Sequence, residues 1–264
     1  MQNVRFTAII PTCDRPPVFF EAALCSVARQ TRSPFEVIVV DNGYFPVEMP
    51  LGLQLEISYI RPGIHIGASA ARNVGIQAAR TELIAFLDDD DEWDSTYLEE
   101  MYKVMGDGQA SVTVGSLYRK VNGDISLFKC PSESELTPRL LMHSNPGFGG
   151  SNICVALPAA RQVGGFNPSL SVSEDRDFAI RLLTHGWQIT SVPQAKVYYR
   201  EHSYRRLTGN HFLKIPFYIY NYKLVPSIDL IRLIIESVSR GISNLIWRII
   251  RYSARTVKQI LKKR

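Results

Sequence analysis

Five apolar residues followed at once by four carboxylates (LIAFLDDDD, Leu83 to Asp91) constrain this chain more than any other feature. The apolar run reads as a buried strand. The aspartates that end it repel one another unless solvent or a cation lies between them. Two similar runs come earlier. Val4 to Ile10 (VRFTAII) stops at Pro11-Thr12, and Phe35 to Val40 (FEVIVV) stops at the turn signal Asp41-Asn42-Gly43. Leu55 to Ile60 is a candidate for a further strand. Helical stretches are predicted from Pro16-Pro17 to about Gln30, from Ser69 to Arg80 and from Asp94 to Met105. Buried strands alternating with helices predict an α/β fold with a mostly parallel, Rossmann-like central sheet flanked by helices. Ligands of such sheets bind at the carboxyl ends of the strands, where all three polar clusters fall.

The second half is less regular. Strands are expected at Ser111–Tyr118, Ile125–Cys130, Ile189–Val192 and Lys196–Tyr199, and a helix at Ser173–His185 with Ser173 as its N-cap. The stretch between Arg139 and Arg161 carries no Asp, Glu, Lys or Arg. It contains Pro146, Gly147, Gly149, Gly150 and Pro158, so it reads as loops and not as a membrane span. No linker composition separates the halves. The divisions expected are 1–110, 111–210 and 211–264, the last a tail that begins in the aromatic run Phe212 to Tyr222.

The net charge of +5 is uneven. From Val225 to Arg264 nine basic residues face only Asp229 and Glu236, so the tail carries +7 and the body −2. Within Ser227 to Lys263, Ile231, Ile234, Ile235, Val238, Ile242, Leu245, Ile249 and Ile260 share one helical face, with Arg240, Arg248, Arg251, Arg255, Lys258 and Lys262 opposite. Leu230, Leu233 and Trp247 break this pattern. An amphipathic helical tail lying on an anionic membrane surface is the expectation, and a helix folding back on the body or making an oligomer contact is the alternative. Four cysteines with no Cys-x-x-Cys pair fit a reducing compartment, and the N-terminal apolar run is too short for a signal peptide. The expected location is cytoplasmic, peripheral on the inner face of the cell membrane, with no nucleic-acid partner.

Hard divalent cations such as Mg²⁺ or Mn²⁺ bind through one or two carboxylates plus substrate phosphates, so a metal-bridged nucleoside diphosphate suits the acidic run. A solvated acidic loop capping the next helix is the competing reading. No P-loop is present, and Gly147-Phe148-Gly149-Gly150 lacks Rossmann spacing. From position alone Glu174 and Asp175 read as first-turn carboxylates of a helix. Trp93 and Trp187 read as packing residues. His65, His143, His185 and His211 have no usable partner spacing.

Five segments in order resemble glycosyltransferase family 2, the inverting transferases of the GT-A fold. They are AIIPTCDRP (Ala8 to Pro16), VIVVDNG (Val37 to Gly43), GASAARNVGIQAARTELIAFLDDDDEW (Gly67 to Trp93), GGFNPSLSVSEDRDFAIRLLTHGW (Gly164 to Trp187) and YYREH (Tyr198 to His202). The resemblance implies that Thr12, Asp14 and Arg15 hold the donor nucleotide, that Asp41 meets the base, and that Arg72 lies near the nucleotide. It implies Asp88 or Asp89 toward the ribose, Asp88, Asp90 and His202 as metal ligands, and Asp175 as general base. Glu174, Gly150 and Ser151 are candidates for contact with the acceptor. Asn42 stands where many members have a second acid, and Cys13 where an aromatic is common.

The expected activity is transfer of one sugar from a nucleotide-diphosphate sugar to a hydroxyl of a glycan or lipid-linked glycan. A sugar-phosphate nucleotidyltransferase and a catalytically silent membrane-surface binding protein are the alternatives. The first would need a glycine-rich, basic loop where Pro11 to Arg15 stand.

Overall fold

The structure is a computed structural model that describes residues 4–108, 110–121, 123–200, 214–225 and 230–243. The three apolar runs form strands β1 (Phe6–Thr12), β2 (Glu36–Asp41) and β4 (Leu83–Phe86), every residue of which is buried. β3 (Ile57–Ile60) lies outside β2, and β3-β2-β1-β4 is parallel throughout. Strands covered on both faces need apolar residues at every position, which is why these segments are continuous rather than alternating. Ile9 packs on one face with helix α2 (Ala68–Ala78), and Ala8 and Ile10 on the other with α1 (Pro17–Ala28).

Beyond β4 the sheet changes direction. β8 (Ile153–Ala156) runs antiparallel to β4 and to β6 (Val112–Val121). β6 then pairs in parallel with β9 (Ile189–Arg200), which is antiparallel to the short β5 (Glu92–Trp93). β7 (Asp124–Lys129) forms a hairpin on β6. α3 (Tyr97–Met105) packs against β9 and β6.

The stretch expected as loops holds β8 and two helices, α4 (Pro138–His143) and α5 (Leu157–Gln162). Its glycines and prolines punctuate very short elements. Asn152 pins β8 from the side: its Nδ2 donates to the Gly115 and Gly147 carbonyls and its Oδ1 accepts from Gly149 N. The two strands expected across Ile189–Tyr199 are one. Pro193 cannot donate to the ladder, and the sheet absorbs it as a register shift opposite Gly115 and Ser116.

α6 (Glu174–Thr184) matches the expected helix, but Ser173 does not cap it. Its φ is +62° and its Oγ accepts from Arg176 Nη2 at 2.8 Å instead of from a backbone N–H. α7 (Ile215–Tyr222) packs on α6. The one tail segment described, residues 230–243, is a helix, here α8. It folds back on the body through Leu233, Ser237 and Gly241, with Leu230 partly covered, while Ile231, Ile235 and Ile242 remain exposed. Leu230 and Leu233, which broke the expected apolar stripe, thus contact the core. The rest of the 227–263 tail lies outside the described residues. Among those residues, no helix is long and apolar enough to cross a membrane.

Gly115 has no room for a side chain, because a Cβ there would overlap the Ala195 carbonyl oxygen. Gly115→Ala should therefore cost about 1–3 kcal/mol, as overpacking against backbone does. Urea unfolding should show a lowered midpoint at unchanged slope. An unchanged midpoint would mean that the β6–β9 register shift is not as close as described.

Candidate active site

The carboxyl ends of β1, β2 and β4 bring the polar clusters together. Thr12 Oγ1 donates to Asp89 Oδ2 at 2.7 Å, and Arg15 Nε to Asp89 Oδ1 at 2.9 Å. Arg15 Nη2 also pairs with Asp90 at 3.2 Å. Asp89 is buried, and burial first and the Asp90 charge next push its pKa up to about 6. Asp91 is buried as well, and burial with the charges of Asp90 and Asp88 raises it well above the carboxylate range. It accepts from Ser151 Oγ at 2.6 Å, while the same oxygen accepts from Asp88 N at 3.1 Å. Ser151 is thus committed to the acidic loop, and Trp93 Nε1 holds its carbonyl at 2.8 Å.

Arg72, from α2, is buried beneath this loop. Its Nη2 donates to Asp88 Oδ1 at 2.5 Å and its Nη1 to Glu174 Oε1 at 3.3 Å. Burial pulls the guanidinium pKa down, but the Asp88 and Glu174 carboxylates push it further up, so the cation is fixed. The Phe166 ring lies 5.1 Å from the guanidinium carbon and stacks on Phe178 at 4.4 Å. Gly150 closes over the pair: a Cβ there would overlap Arg72 Nη2 and crowd Asp88 Oδ1.

Asp175 follows Glu174 in the first turn of α6. Burial first and the Glu174 charge next push its pKa up to about 7, and its Oδ1 accepts from Arg176 N at 2.7 Å. Below it, Asp177 is fully buried between Arg181, which donates from Nε at 2.9 Å and Nη2 at 2.7 Å, and Asn221 of α7, which donates at 2.9 Å. Sequence reasoning gave Asp177 no role although it lies in the Gly164 to Trp187 segment, and passed over Asn221, which stands in no motif.

On the β2 side, Asp41 is buried and organises its own loop. It accepts from Gly43 N, Val47 N and Tyr59 Oη at 2.8, 2.9 and 2.5 Å. Burial and Asp41 push Tyr59 up to about 12. Asp14 takes φ +48°, and its Oδ1 and Oδ2 meet Tyr44 N at 2.8 Å and His65 Nε2 at 2.7 Å. His65, which had no readable partner, thus belongs to the first loop. With Cys13 these two side chains place three exposed donor atoms within 4.8 Å of one another. The Cys13 thiol is raised by burial and by Asp14, which opposes the thiolate a metal would need. His202 lies outside the described residues.

The structure therefore gathers Thr12, Asp14, Arg15, Asp41, Arg72, Asp88, Asp89, Asp90, Gly150, Ser151, Glu174 and Asp175 around the ends of the parallel strands. This is the plan of an α/β protein that holds a nucleotide at its strand ends. The profile of Glycosyl transferase family 2 matches residues 7–152, and the chain belongs to that family. It is 26% identical over 241 residues to the hyaluronan synthase of Pasteurella multocida, covering 76% of this chain and 25% of that one. An uncharacterized glycosyltransferase of Haemophilus influenzae is 28% identical over 183 residues, covering 66% and 60%. The chain thus spans a quarter to three fifths of the length of these relatives. Among solved structures, S. aureus TarS 1–349 in complex with UDP superposes with a TM-score of 0.62 at 18% identity, covering 90% of this chain and 72% of that one. The fold is GT-A. The nucleotidyltransferase alternative is left without support.

A raised Asp175 has a consequence for stability. Unfolded, the group titrates near ~3.9; folded, near about 7. Between these values the unfolded chain releases a proton that the folded chain keeps, so rising pH favours unfolding until the penalty is complete above pH 7. Asp175→Asn removes the penalty. Its Tm relative to the parent should climb from pH 4 to 7 and level off above. A difference independent of pH would show that Asp175 titrates normally.

Proposed function

We propose that the chain transfers a single sugar from a nucleotide-diphosphate sugar to an acceptor hydroxyl, with inversion, in the assembly of a polysaccharide or glycolipid. The observation that carries this reading is Arg72. One buried guanidinium joins the acidic loop at the end of β4 to the first turn of α6, so the donor-side carboxylates and Asp175 share one cleft. Asp175 takes the proton of the acceptor hydroxyl as that oxygen attacks the anomeric carbon. The bond from that carbon to the departing diphosphate breaks on the opposite face, which inverts the centre. With a pKa near 7, Asp175 is available as a base only once neutral pH is passed, so turnover should rise through that range.

The donor set fits a hard divalent cation. Asp88 to Asp91 offer only oxygen ligands, and their mutual repulsion shows in the raised Asp89 and Asp91. Asp90, with Asp88 and His202, would hold Mn²⁺ or Mg²⁺. Such a cation would supply positive charge to offset that developing on a departing diphosphate. TarS structures with UDP and UDP-GlcNAc make a uridine nucleotide the first donor to test. The hyaluronan synthase and the succinoglycan biosynthesis protein ExoW of Rhizobium meliloti, 35% identical over 109 residues, favour a glycan acceptor.

The test uses two variants. Asp175→Asn should lower turnover by about 10²- to 10⁴-fold with nucleotide affinity nearly unchanged. Asp90→Ala should abolish Mn²⁺-dependent UDP binding, read by titration calorimetry, without lowering Tm. Full turnover in the first, or unchanged metal dependence in the second, would refute the assigned roles.

A cytoplasmic position against an anionic leaflet belongs to the same reading. The tail charge and the exposed Ile231, Ile235 and Ile242 of α8 support it. Because α8 also covers the core through Leu233, deleting it would confound the test. Replacing the three exposed isoleucines by serine should reduce pelleting with phosphatidylglycerol vesicles, and high salt should weaken pelleting of the parent chain. Equal pelleting of the two would remove α8 from the membrane contact.

A further inference from the structure

Among the described residues, three that are not glycine hold a positive φ: Asp14 at +48°, His65 at +51° and Ser173 at +62°. Such backbone persists only where its surroundings impose it, and it clusters at active sites and ligand clamps. Ser173 stands directly before Glu174 and Asp175 and belongs to the acceptor side of the cleft. Asp14 and His65 come from different loops and bond each other, His65 Nε2 meeting Asp14 Oδ2 at 2.7 Å. Further contacts clamp the pair. His65 N donates to the Asn42 carbonyl at 2.6 Å, and Tyr44 N donates to Asp14 Oδ1 at 2.8 Å. The Tyr44 ring stands edge-on to the His65 ring at 4.5 Å. Gly43 lets the loops close, since a Cβ there would overlap Asp14. Both rings are nevertheless exposed.

The sheet sets the place of this pair. The acidic loop proposed to face the diphosphate ends β4, and β2 lies two strands away across β1, about 10 Å at ~4.8 Å per strand. A nucleotide laid across these strand ends from the acidic loop brings its base to the loops after β1 and β2.

Two side chains there are unsuited to reading a base. Asp41, which the resemblance assigns to it, is 1% exposed. Its oxygens already accept from Gly43 N, Val47 N, Tyr59 Oη and Arg61 Nε. Cys13 has no ring to stack. His65 has what both lack: an exposed ring, and a nitrogen, Nδ1, with no partner among the described residues. The hydrogen bond from His65 holds Asp14 below the usual carboxylate range, so Asp14 is ionised and the imidazole donates from Nε2. In the neutral ring Nδ1 is then an acceptor. An acceptor fixed at the edge of a base selects for a ring N–H. Uracil offers one at N3 and guanine at N1, whereas cytosine N3 and adenine N1 are acceptors and would face Nδ1 lone pair to lone pair.

We propose that His65, its tautomer set by Asp14 and its ring angle by Tyr44, reads the base of the donor nucleotide by accepting a ring N–H, and that Asp41 shapes the loop without touching the base. The inference rests on the nucleotide-sugar reading and deepens it. The donor carries uracil or another base with N–H at that edge, and not cytosine or adenine.

Titration calorimetry on the full chain with Mn²⁺ at about pH 8, where a free imidazole is neutral, compares UDP with CDP and GDP with ADP. In the pair that binds, the N–H base should be favoured by about tenfold or more, because the other base leaves the hydrogen bond unmade. His65→Gly removes the ring at a φ that glycine adopts freely, so it should erase the preference while Tm holds or rises. Asp41→Asn should lower Tm by disturbing its loop and leave the preference in place. Equal binding within each pair, favour for CDP or ADP, or a preference that survives His65→Gly overturns the proposal. So does a preference that Asp41→Asn erases at unchanged Tm, which would return base reading to Asp41. Binding of none of the four nucleotides, with Mn²⁺ or with Mg²⁺, would refute the nucleotide-sugar reading itself and this inference with it.

Discussion

A cation without access to water holds this site together. Arg72 is 3% exposed, and a guanidinium in that position is tolerable only while carboxylates flank it. It has two, and they come from distant parts of the chain: Asp88 at the end of β4 and Glu174 at the start of α6. Removing either would leave the buried guanidinium with a single, partly exposed carboxylate partner. The geometry around it is correspondingly intolerant. Phe166 and Phe178 fix the guanidinium from below, and Gly150 must lack a side chain for the loop to close above. Arg72 therefore sets the distance between the two halves of the cleft, whatever else it touches.

The second half of that cleft is held from behind. Asp177 and Arg181 are successive turns of α6, and both are buried. Asn221 reaches Asp177 from α7, and Phe217 of the same helix stacks under Arg176. The orientation of α6, and so of Asp175 at its tip, depends on a helix close to the C-terminus of the chain. α8 extends the same packing through Leu233. α7 is thus joined to α6 by a buried polar contact and not by apolar burial alone, which gives it a defined geometry where a purely greasy contact would allow sliding.

Legibility in the sequence followed how each element is buried. β1, β2 and β4 are covered on both faces and were readable as unbroken apolar runs ending in polar residues. β8 is buried at three of its four residues, and Gly149, Gly150 and Ser151 precede it where Asn152 reaches the Gly115 carbonyl. That local signal is the same one a loop gives. Pro193 split β9 for a similar reason: a proline ends a strand unless a neighbour shifts register to receive it, and the receiving Gly115 is 78 positions earlier. The acidic run, Asp175 and Arg72 could be found because they stand in recognisable order. The pairing of Asp177 with Asn221 could not, because it arises only when α6 and α7 come together. α8 itself shows the limit of periodicity. Two faces of one helix carry aliphatic residues, and only the packed chain decides that Leu233 turns inward and Ile231 outward.

The charges around Asp175 are arranged by sign. Toward β4 lie Asp88 to Asp91, with Arg15 and Arg72 balancing only part of their charge. Toward β7 and α7 lie Lys129, Arg176 and Lys214, with no comparable group of acids. A carboxyl group placed between such fields is pulled in opposite directions. Burial and Glu174 raise its pKa, and Arg176 and Arg72 hold it back from rising further, so that it settles near 7. A cation among the aspartates would favour the carboxylate, and an anion on the side of Lys129 and Arg176 would favour the acid.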